Sequence, residues 1–495
     1  MRAPVWLVER FVGGWRLVAV SLLGAALRWI RLDGQAPSID EGWSIGATLG
    51  GLDHALDVVS RDTHPPLYFV LQWMQVHAIG PQLGADRIVA AALGTIAVPI
   101  TVLVARRFGS ERSALLAGLL VALSPLAIFT SRDARPHVAA ATLALAATWL
   151  LLRALERPSG GRLASYSVAA AAMLLTSYAN VMVVIVHGLV VLPRMWTSPW
   201  RWLLAFLGIG LLCLPWLLVV APYSAQAKGI LFSDQIETWN RLVELVRISA
   251  YALTGGFTLL DEFNPWLTAV VALPVLAGVW WGRVNRSGTG ALDGEAGNGK
   301  ADSRPMGVGI LIGLLVATLG LYALTSAIGG QFVARYLTPL VAPVAILYAL
   351  AVSRLPGRAN VLAAAVLLLG WSWTSIDVLV RDKAHRDASE VAAFLAKNVR
   401  PSDQVVLDWF STRGQVVALD PDLWGTSSEG GYDLRGDFEA AASRSGRLWL
   451  VADNTMSDRL AVLDAARPSG VDVMIGPRRV LAFPVEPGRP KALGR

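Results

Sequence analysis

The chain has 495 residues, of which 54% are hydrophobic and only 16% are charged, and its mean hydropathy is +0.52. A soluble domain carries about 25% charged residues, so this composition indicates an integral membrane protein with some soluble mass. The net charge of +7 does not indicate nucleic-acid binding, because the arginines lie mainly between apolar stretches, and the single cysteine, Cys213, excludes an intramolecular disulfide bond or a cysteine-cluster metal site.

Long apolar stretches predict an all-α polytopic membrane domain over residues 1–377, with about eleven transmembrane helices. A helix needs about 20 mostly apolar residues to cross a bilayer. The first stretch follows a basic N-terminus and ends without a small-residue cleavage site, so it predicts a retained signal anchor. The predicted spans are 14–31, 87–105, 113–130, 137–155, 164–178, 180–193, 201–221, 265–282, 307–327, 336–353 and 359–377.

The segment 65–79 is apolar but short, and it contains Gln72, Gln75 and His77. These features predict an interfacial helix rather than a span. The positive-inside rule favours the same choice, because most loop arginines then lie on one side of the membrane. With this topology the N-terminus is cytoplasmic, whereas the first loop (32–86) and the C-terminal part of the chain are extracytoplasmic.

The chain changes character after residue 377, where long apolar runs stop. Alternation of helix and strand patterns there predicts a small soluble α/β domain over residues 378–495, on the outer face of the plasma membrane. The predicted elements are a helix at 387–399 and strands at 405–409, 447–452, 471–475 and 479–484.

The adjacent acidic residues Asp40 and Glu41 are candidate catalytic residues. They follow the first predicted span closely, so they lie near the level at which a lipid-linked substrate presents its head group. A carboxylate in that position can take a proton from an acceptor hydroxyl. The alternative is a solvated pair or a helix N-cap, since acidic residues suit the first turn of a helix.

Later outer segments add cations and a further acid. His64 precedes a helix that begins after two prolines, and a helix N-terminus favours phosphate. In the next outer loop Arg132 and Arg135 are candidates for holding phosphate, and Asp133 for the acidic centre. Arg335 begins a late span from the outside and is a candidate for the lipid phosphate. The alternatives are a capping role for His64 and interfacial anchoring for the arginines.

Taken together, the acidic pair, the sequence HPPLY at 64–68, SRDARP at 131–136 and RYLTPL at 335–340 resemble motifs of the GT-C membrane glycosyltransferases. The most similar branch is that of the protein O-mannosyltransferases and aminoarabinose transferases, and the resemblance covers about residues 14–380. It implies a polyprenyl-phosphate sugar donor, reaction outside the cytoplasmic membrane, and inversion at the anomeric carbon.

The resemblance also implies residue roles. Asp40 matches the acidic residue proposed as the base or as the group that orients the acceptor, and Asp133 matches the second acidic position. His64 stands where relatives place His or Lys near the donor phosphate, and Arg335 matches the late arginine. The second loop lacks the acidic DxD or DxE pattern of the oligosaccharyltransferases, so the sequence does not require a divalent metal.

The sequence therefore predicts an inverting glycosyltransferase, hexosyl or pentosyl, whose acceptor is an envelope glycan, a glycolipid or a protein. Two alternatives use the same phosphate-binding cations. One is a transporter or flippase of lipid-linked sugars, although the sequence shows no repeated halves. The other is a non-catalytic assembly subunit, against which the presence of both Asp40 and His64 argues.

Overall fold

The computed structural model of the chain is mostly helical, with one small sheet. Statements about structure below concern the residues that it describes. These are residues 5–62, 64–196, 198–223, 238–255, 265–288, 304–327, 332–380, 386–400, 403–407, 410–420, 427–429, 447–453, 470–475 and 478–483.

Eighteen α-helices and five strands make up the described part of the chain, together with short 3-10 helices at Ala85–Arg87, Tyr178–Asn180, Ala221–Tyr223 and Ala334–Leu340. The membrane part contains α1 (Val5–Trp29), α2 (Ile39–Thr48), α3 (Leu52–Ser60), α4 (Leu67–Ile79), α5 (Ile88–Ala105), α6 (Glu111–Ala122), α7 (Pro125–Ser131), α8 (His137–Glu156), α9 (Gly160–Leu174), α10 (Val181–Met195), α11 (Pro199–Val220), α12 (Thr238–Leu253), α13 (Pro265–Gly288), α14 (Arg304–Ala327), α15 (Val341–Val352) and α16 (Gly357–Val380). The C-terminal part contains α17 (Arg386–Asn398), β1 (Gln404–Leu407), α18 (Phe410–Leu419), β2 (Ser427–Glu429), β3 (Leu448–Asp453), β4 (Val471–Ile475) and β5 (Arg478–Phe483).

Eight helices within the described ranges are long and apolar enough to cross a membrane, or nine if the bent pair of α6 and α7 forms one span. The predicted count of eleven is therefore not confirmed. Two predicted spans account for the difference. In the described part of the chain neither 14–31 nor 164–178 corresponds to a candidate span, and the helix at 164–178 is α9, which has only 15 residues.

The predicted span 113–130 is broken. The helix ends at Ala122 and restarts at Pro125 with a bend of 54°. Proline fits the first turn of a helix but removes a backbone donor from a helix interior, so the carbonyls before it lose their partners. Arg28 satisfies two of them, because its Nη1 donates to the Ala122 carbonyl (3.2 Å) and its Nη2 to the Val121 carbonyl (3.0 Å). A buried arginine therefore stabilises the break.

The loop 32–86, which the sequence predicts to be extracytoplasmic, is built of three short helices, α2, α3 and α4. The 13 residues of α4 extend for about 20 Å, which is short of the roughly 30 Å hydrocarbon core of a bilayer. This helix is not among the candidate spans, in agreement with the predicted non-spanning segment. Tyr68, Phe69 and Gln72 on α4 are buried within the protein.

The C-terminal strands form one mixed sheet in the order β2-β1-β3-β5-β4. β1 is parallel to β2 and β3, whereas β5 is antiparallel to β3 and β4. Four of these strands coincide with predicted strands, but α18 and β2 were not predicted. The core of this sheet is continuous with α2 and α4. Ile45 and Leu49 of α2 and Val76 of α4 share a buried apolar cluster with Val405 and Trp449 of the strands.

Candidate active site

Glu41 is the buried centre of three converging segments. Ser38 caps α2, since its Oγ accepts from the Glu41 amide (3.1 Å) and Glu41 Oε2 accepts from the Ser38 amide (3.0 Å). Arg87, at the start of α5, donates from Nε to Glu41 Oε1 (2.7 Å) and from Nη2 to Glu41 Oε2 (3.0 Å). The Ala134 amide donates to Glu41 Oε1 (2.9 Å) from the 131–136 loop. The predicted capping alternative thus describes Glu41, whose lone pairs are already engaged.

Asp40 has a different environment, although it is the next residue. Its side chain is 39% exposed and forms an ion pair with Arg335, at the N-terminus of the 334–340 segment. The Asp40 carbonyl accepts from Arg135 Nη1 (3.2 Å). Asp40 is therefore a solvent-accessible carboxylate paired with one guanidinium, and a second guanidinium bonds to its main-chain carbonyl.

Arg135 connects Asp40 with His64. Its Nη1 donates to Ser44 Oγ (3.0 Å), its Nη2 contacts His64 Nε2 (3.1 Å), and its guanidinium lies 5.6 Å from the Trp43 ring centroid. The Nε atoms of Arg135 and Arg335 are buried without a hydrogen-bond partner among the described residues. Two cations thus lie at Asp40, Arg335 at its carboxylate and Arg135 at its main-chain carbonyl.

The tautomer of His64 follows from the two contacts of its ring nitrogens. A guanidinium can only donate, so His64 Nε2 accepts from Arg135 and Nδ1–H donates to Asp62 Oδ2 (2.8 Å). Burial and the positive charge of Arg135 lower the pKa of His64, against the opposing effect of Asp62. His64 is therefore a neutral imidazole that orients Arg135.

Arg132 and Asp133 lie deeper. Arg132 Nη2 donates to the Arg31 carbonyl (2.6 Å), and its pKa is lowered to about 10 by burial and by the nearby charge of Arg87. Arg132 therefore interacts with the groups around the Glu41–Arg87 ion pair. Asp133 is buried and interacts electrostatically with both Arg87 and Arg335. The structure accordingly gathers Asp40, His64, Arg135 and Arg335 in one place and sets Glu41 and Arg132 behind them.

Two residues of this cluster were missing from the sequence prediction. Arg87 was assigned as the first residue of a span, and its partner is 46 residues away in sequence. His137 follows the predicted 131–136 motif directly, and that position was the available signal. Its ring lies 5.6 Å from that of Tyr336 and interacts electrostatically with Arg335, and its buried Nε2 has no hydrogen-bond partner in the described part of the chain.

The cluster does not offer a set of ligands suited to a divalent metal. The carboxylates of Asp40 and Glu41 are paired with arginines, which neutralise the charge that a cation would need. Among the described residues, no three His, Cys, Asp or Glu side chains group as metal ligands do.

An apolar groove of about 560 Å³ lies between α3 and α11. Leu56 of α3, Pro66, and Leu212 and Trp216 of α11 line it. Because α11 is a candidate span, the groove reaches from membrane level to the segment that carries His64, two residues before Pro66. Its walls suit a hydrocarbon chain.

Comparisons with known proteins identify the class. A profile of the family described as dolichyl-phosphate-mannose-protein mannosyltransferase matches residues 63–218. Solved GT-C structures match nearly the whole length of the chain. The protein therefore has the fold of the GT-C membrane glycosyltransferases, and the resemblance predicted from the sequence is confirmed.

Three solved structures show how far the likeness in fold extends. ArnT from Cupriavidus metallidurans in the apo state matches with a TM-score of 0.61 and 14% identity, over 96% of this chain and 97% of that chain. ArnT bound to undecaprenyl phosphate gives the same score and identity, over 99% and 100%. The archaeal oligosaccharyltransferase AglB from Archaeoglobus fulgidus, in complex with an inhibitory peptide and a dolichol-phosphate, matches with a TM-score of 0.53 and 12% identity, over 91% and 70%. No curated protein matches the sequence significantly.

Proposed function

We propose that the protein is an inverting glycosyltransferase that moves a sugar from a polyprenyl-phosphate donor to an envelope glycan, a glycolipid or a protein, on the outer face of the cytoplasmic membrane. The observation that carries this proposal is the accessible Asp40 carboxylate paired with Arg335 and adjoining Arg135. Transfer from a sugar phosphate needs a group that accepts the hydroxyl proton and cations that stabilise the leaving phosphate. This cluster contains both.

In the proposed reaction the acceptor hydroxyl oxygen attacks the anomeric carbon from the side opposite the phosphate. The new bond forms as the bond between that carbon and the phosphate oxygen breaks, and the electron pair leaves with the polyprenyl phosphate. The hydroxyl proton passes to Asp40. Arg335 and Arg135 stabilise the charge that develops on the phosphate, because guanidinium groups bind phosphate through paired N–H donors.

The ion pair between Asp40 and Arg335 links donor binding to the chemistry. In the free protein the Asp40 carboxylate is occupied by the Arg335 guanidinium. A donor phosphate competes for Arg335, so its arrival releases Asp40 to accept the hydroxyl proton. His64 contributes by holding Arg135 through Nε2, and Asp133 contributes negative charge near Arg335.

The apolar groove beside α11 supports a lipid-borne donor. Its wall at Pro66 is close in sequence to His64, so a hydrocarbon chain in the groove would place its head group near Arg135. The undecaprenyl phosphate of the ArnT structure and the dolichol-phosphate of the AglB structure are ligands of this chemistry in proteins of the same fold. Both support a polyprenyl-phosphate donor here.

The test is sugar transfer by the purified protein in lipid nanodiscs, with radiolabelled polyprenyl-phosphate sugars and envelope extract as acceptor. Transfer by the wild type that Asp40→Asn abolishes supports the proposal. Absence of transfer from every donor, together with movement of labelled lipid between leaflets in proteoliposomes, would establish a flippase instead.

A further inference from the structure

The C-terminal α/β part is attached to the loop that precedes the Asp40 helix. Gln415 of α18 is 1% exposed, and its Nε2 donates to the Pro37 carbonyl (2.9 Å). Arg478 of β5 donates from Nη2 to Gln415 Oε1 (2.7 Å). A second contact lies at the other end of the outer loop, where the Leu83 amide donates to the Ala418 carbonyl (2.8 Å).

Arg478 fixes the orientation of the Gln415 amide. A guanidinium has only donors, so the amide oxygen faces Arg478 and the NH₂ group faces Pro37. The neighbouring residues of α18 add apolar contact, since Val416 and Val417 belong to the same buried cluster as Ile45 of α2. The hydrogen bond is therefore directional and lies in a packed, water-excluded interface.

Pro37 immediately precedes Ser38, the residue that caps α2, and Asp40 lies in the first turn of that helix. A shift of the Pro37 carbonyl therefore moves the cap and the Asp40 carboxylate with it. The positions of reacting groups matter at this scale, because a displacement of about 1 Å can cost about a hundredfold in rate.

We propose that Gln415 is a positioning residue that acts on Asp40 through Pro37, so that the C-terminal α/β part is a component of the transfer machinery. The proposal rests on the proposed function for Asp40. It concerns placement alone, since Gln415 lies on the Pro37 side of the helix cap and contacts no member of the Asp40–Arg335 pair among its recorded hydrogen bonds.

The substitution that tests this is Gln415→Glu. Glutamate keeps the shape of the side chain and its acceptor toward Arg478, but it cannot donate to the Pro37 carbonyl. We expect kcat to fall about ten- to hundredfold, while KM for the polyprenyl-phosphate sugar changes less than about twofold. The matched control is Arg479→Gln, on the same strand as Arg478, where the native side chain pairs with Asp472 at the surface.

Hydrogen–deuterium exchange provides a readout that does not need activity. In Gln415→Glu we expect faster exchange at the first amides of α2 and wild-type exchange in β3 and β5, and Arg479→Gln should match the wild type in both places. Unchanged exchange in α2 with unchanged kcat would overturn the proposal. So would faster exchange across the whole sheet, with kcat and KM altered together, because that pattern describes a general loss of folding. If the wild type transfers no sugar, the proposed function fails, and α2 exchange still decides whether Gln415 holds the helix.

Discussion

Asp40 and Arg335 form an ion pair although 295 residues separate them in the sequence. The pair joins α2 to the start of a late candidate span. Arg335 is mostly buried and its Nε has no hydrogen-bond partner among the residues that the structure describes, so the arginine has capacity for a further anion. In the proposed reaction that anion is the donor phosphate, and Asp40 is its competitor.

Replacing Asp40 by asparagine should therefore have opposite effects on binding and on turnover. Loss of the carboxylate removes the competitor for Arg335, so we expect labelled polyprenyl phosphate to bind severalfold more tightly, whereas transfer falls by about 10²–10⁴-fold. Equilibrium binding in nanodiscs measures the affinity for polyprenyl phosphate, and initial rates measure the transfer. Asp53→Asn, at an exposed position of α3, is the control. Weaker binding by Asp40→Asn would contradict the competition.

Two of the arginines predicted to hold phosphate, Arg335 and Arg132, should differ in their effect on donor affinity. Arg335 adjoins Asp40, whereas Arg132 donates to the Arg31 carbonyl behind the cluster. We expect Arg335→Gln to weaken donor binding about 10–100-fold, since a hydrogen bond to a charged group contributes about 1.5–3 kcal/mol. Arg132→Gln should lower the unfolding temperature and leave donor affinity within about threefold. Equal losses of affinity in the two variants would place Arg132 at the phosphate as well.

Adjacent acidic residues should respond differently to neutralisation. Glu41→Gln removes the carboxylate that pairs directly with the buried Arg87, and breaking a buried ion pair costs about 3–5 kcal/mol. Asp40→Asn removes a partly exposed charge, so its effect on stability should be under about 1 kcal/mol. Thermal unfolding of the two variants in the same detergent compares them. A wild-type unfolding temperature for Glu41→Gln would show that Arg87 finds another partner.

Sequence patterns predicted the parts of this structure that depend on local composition. Apolar length located most spans, and the short, glutamine-containing segment 65–79 was correctly set apart from them. The break before Pro125 was missed because only Ser124 and Pro125 interrupt the apolar run, and the compensation by Arg28 comes from a different helix. Four of the five strands were predicted, since each alternates or is uniformly apolar over its own length.

Long-range pairing limited the prediction of the site. Asp40, His64, Arg135 and Arg335 were singled out by residue type and expected side of the membrane, and the structure brings them together. The burial of Glu41 could not be predicted, because its partner Arg87 was assigned to a span. The attachment of the C-terminal part to α2 depends on packing between segments more than 350 residues apart, which no local pattern reports.

His64 should make stability depend on pH in a defined direction. Burial and Arg135 lower its pKa in the folded protein, whereas the unfolded chain restores the ordinary value of about 6.5. Between these two values the unfolded state binds more protons. The contribution of neutral His64 is therefore complete above about pH 6.5 and is lost as the pH falls toward the folded-state pKa, with a slope of at most about 1.4 kcal/mol per pH unit.

Unfolding of the wild type and His64→Gln between pH 8 and pH 5 measures this contribution. The difference in stability between the two should shrink below about pH 6.5, because glutamine does not titrate. His77→Gln is the control, since His77 is exposed on α4 and its Nδ1 bonds to the Trp73 carbonyl one turn earlier (2.9 Å). Curves for wild type and His64→Gln that stay parallel through this range would show that the pKa of His64 is the same in the folded and the unfolded protein. Donor affinity should weaken only at lower pH, as the folded protein passes its own His64 pKa, since protonation of Nε2 removes the acceptor that orients Arg135.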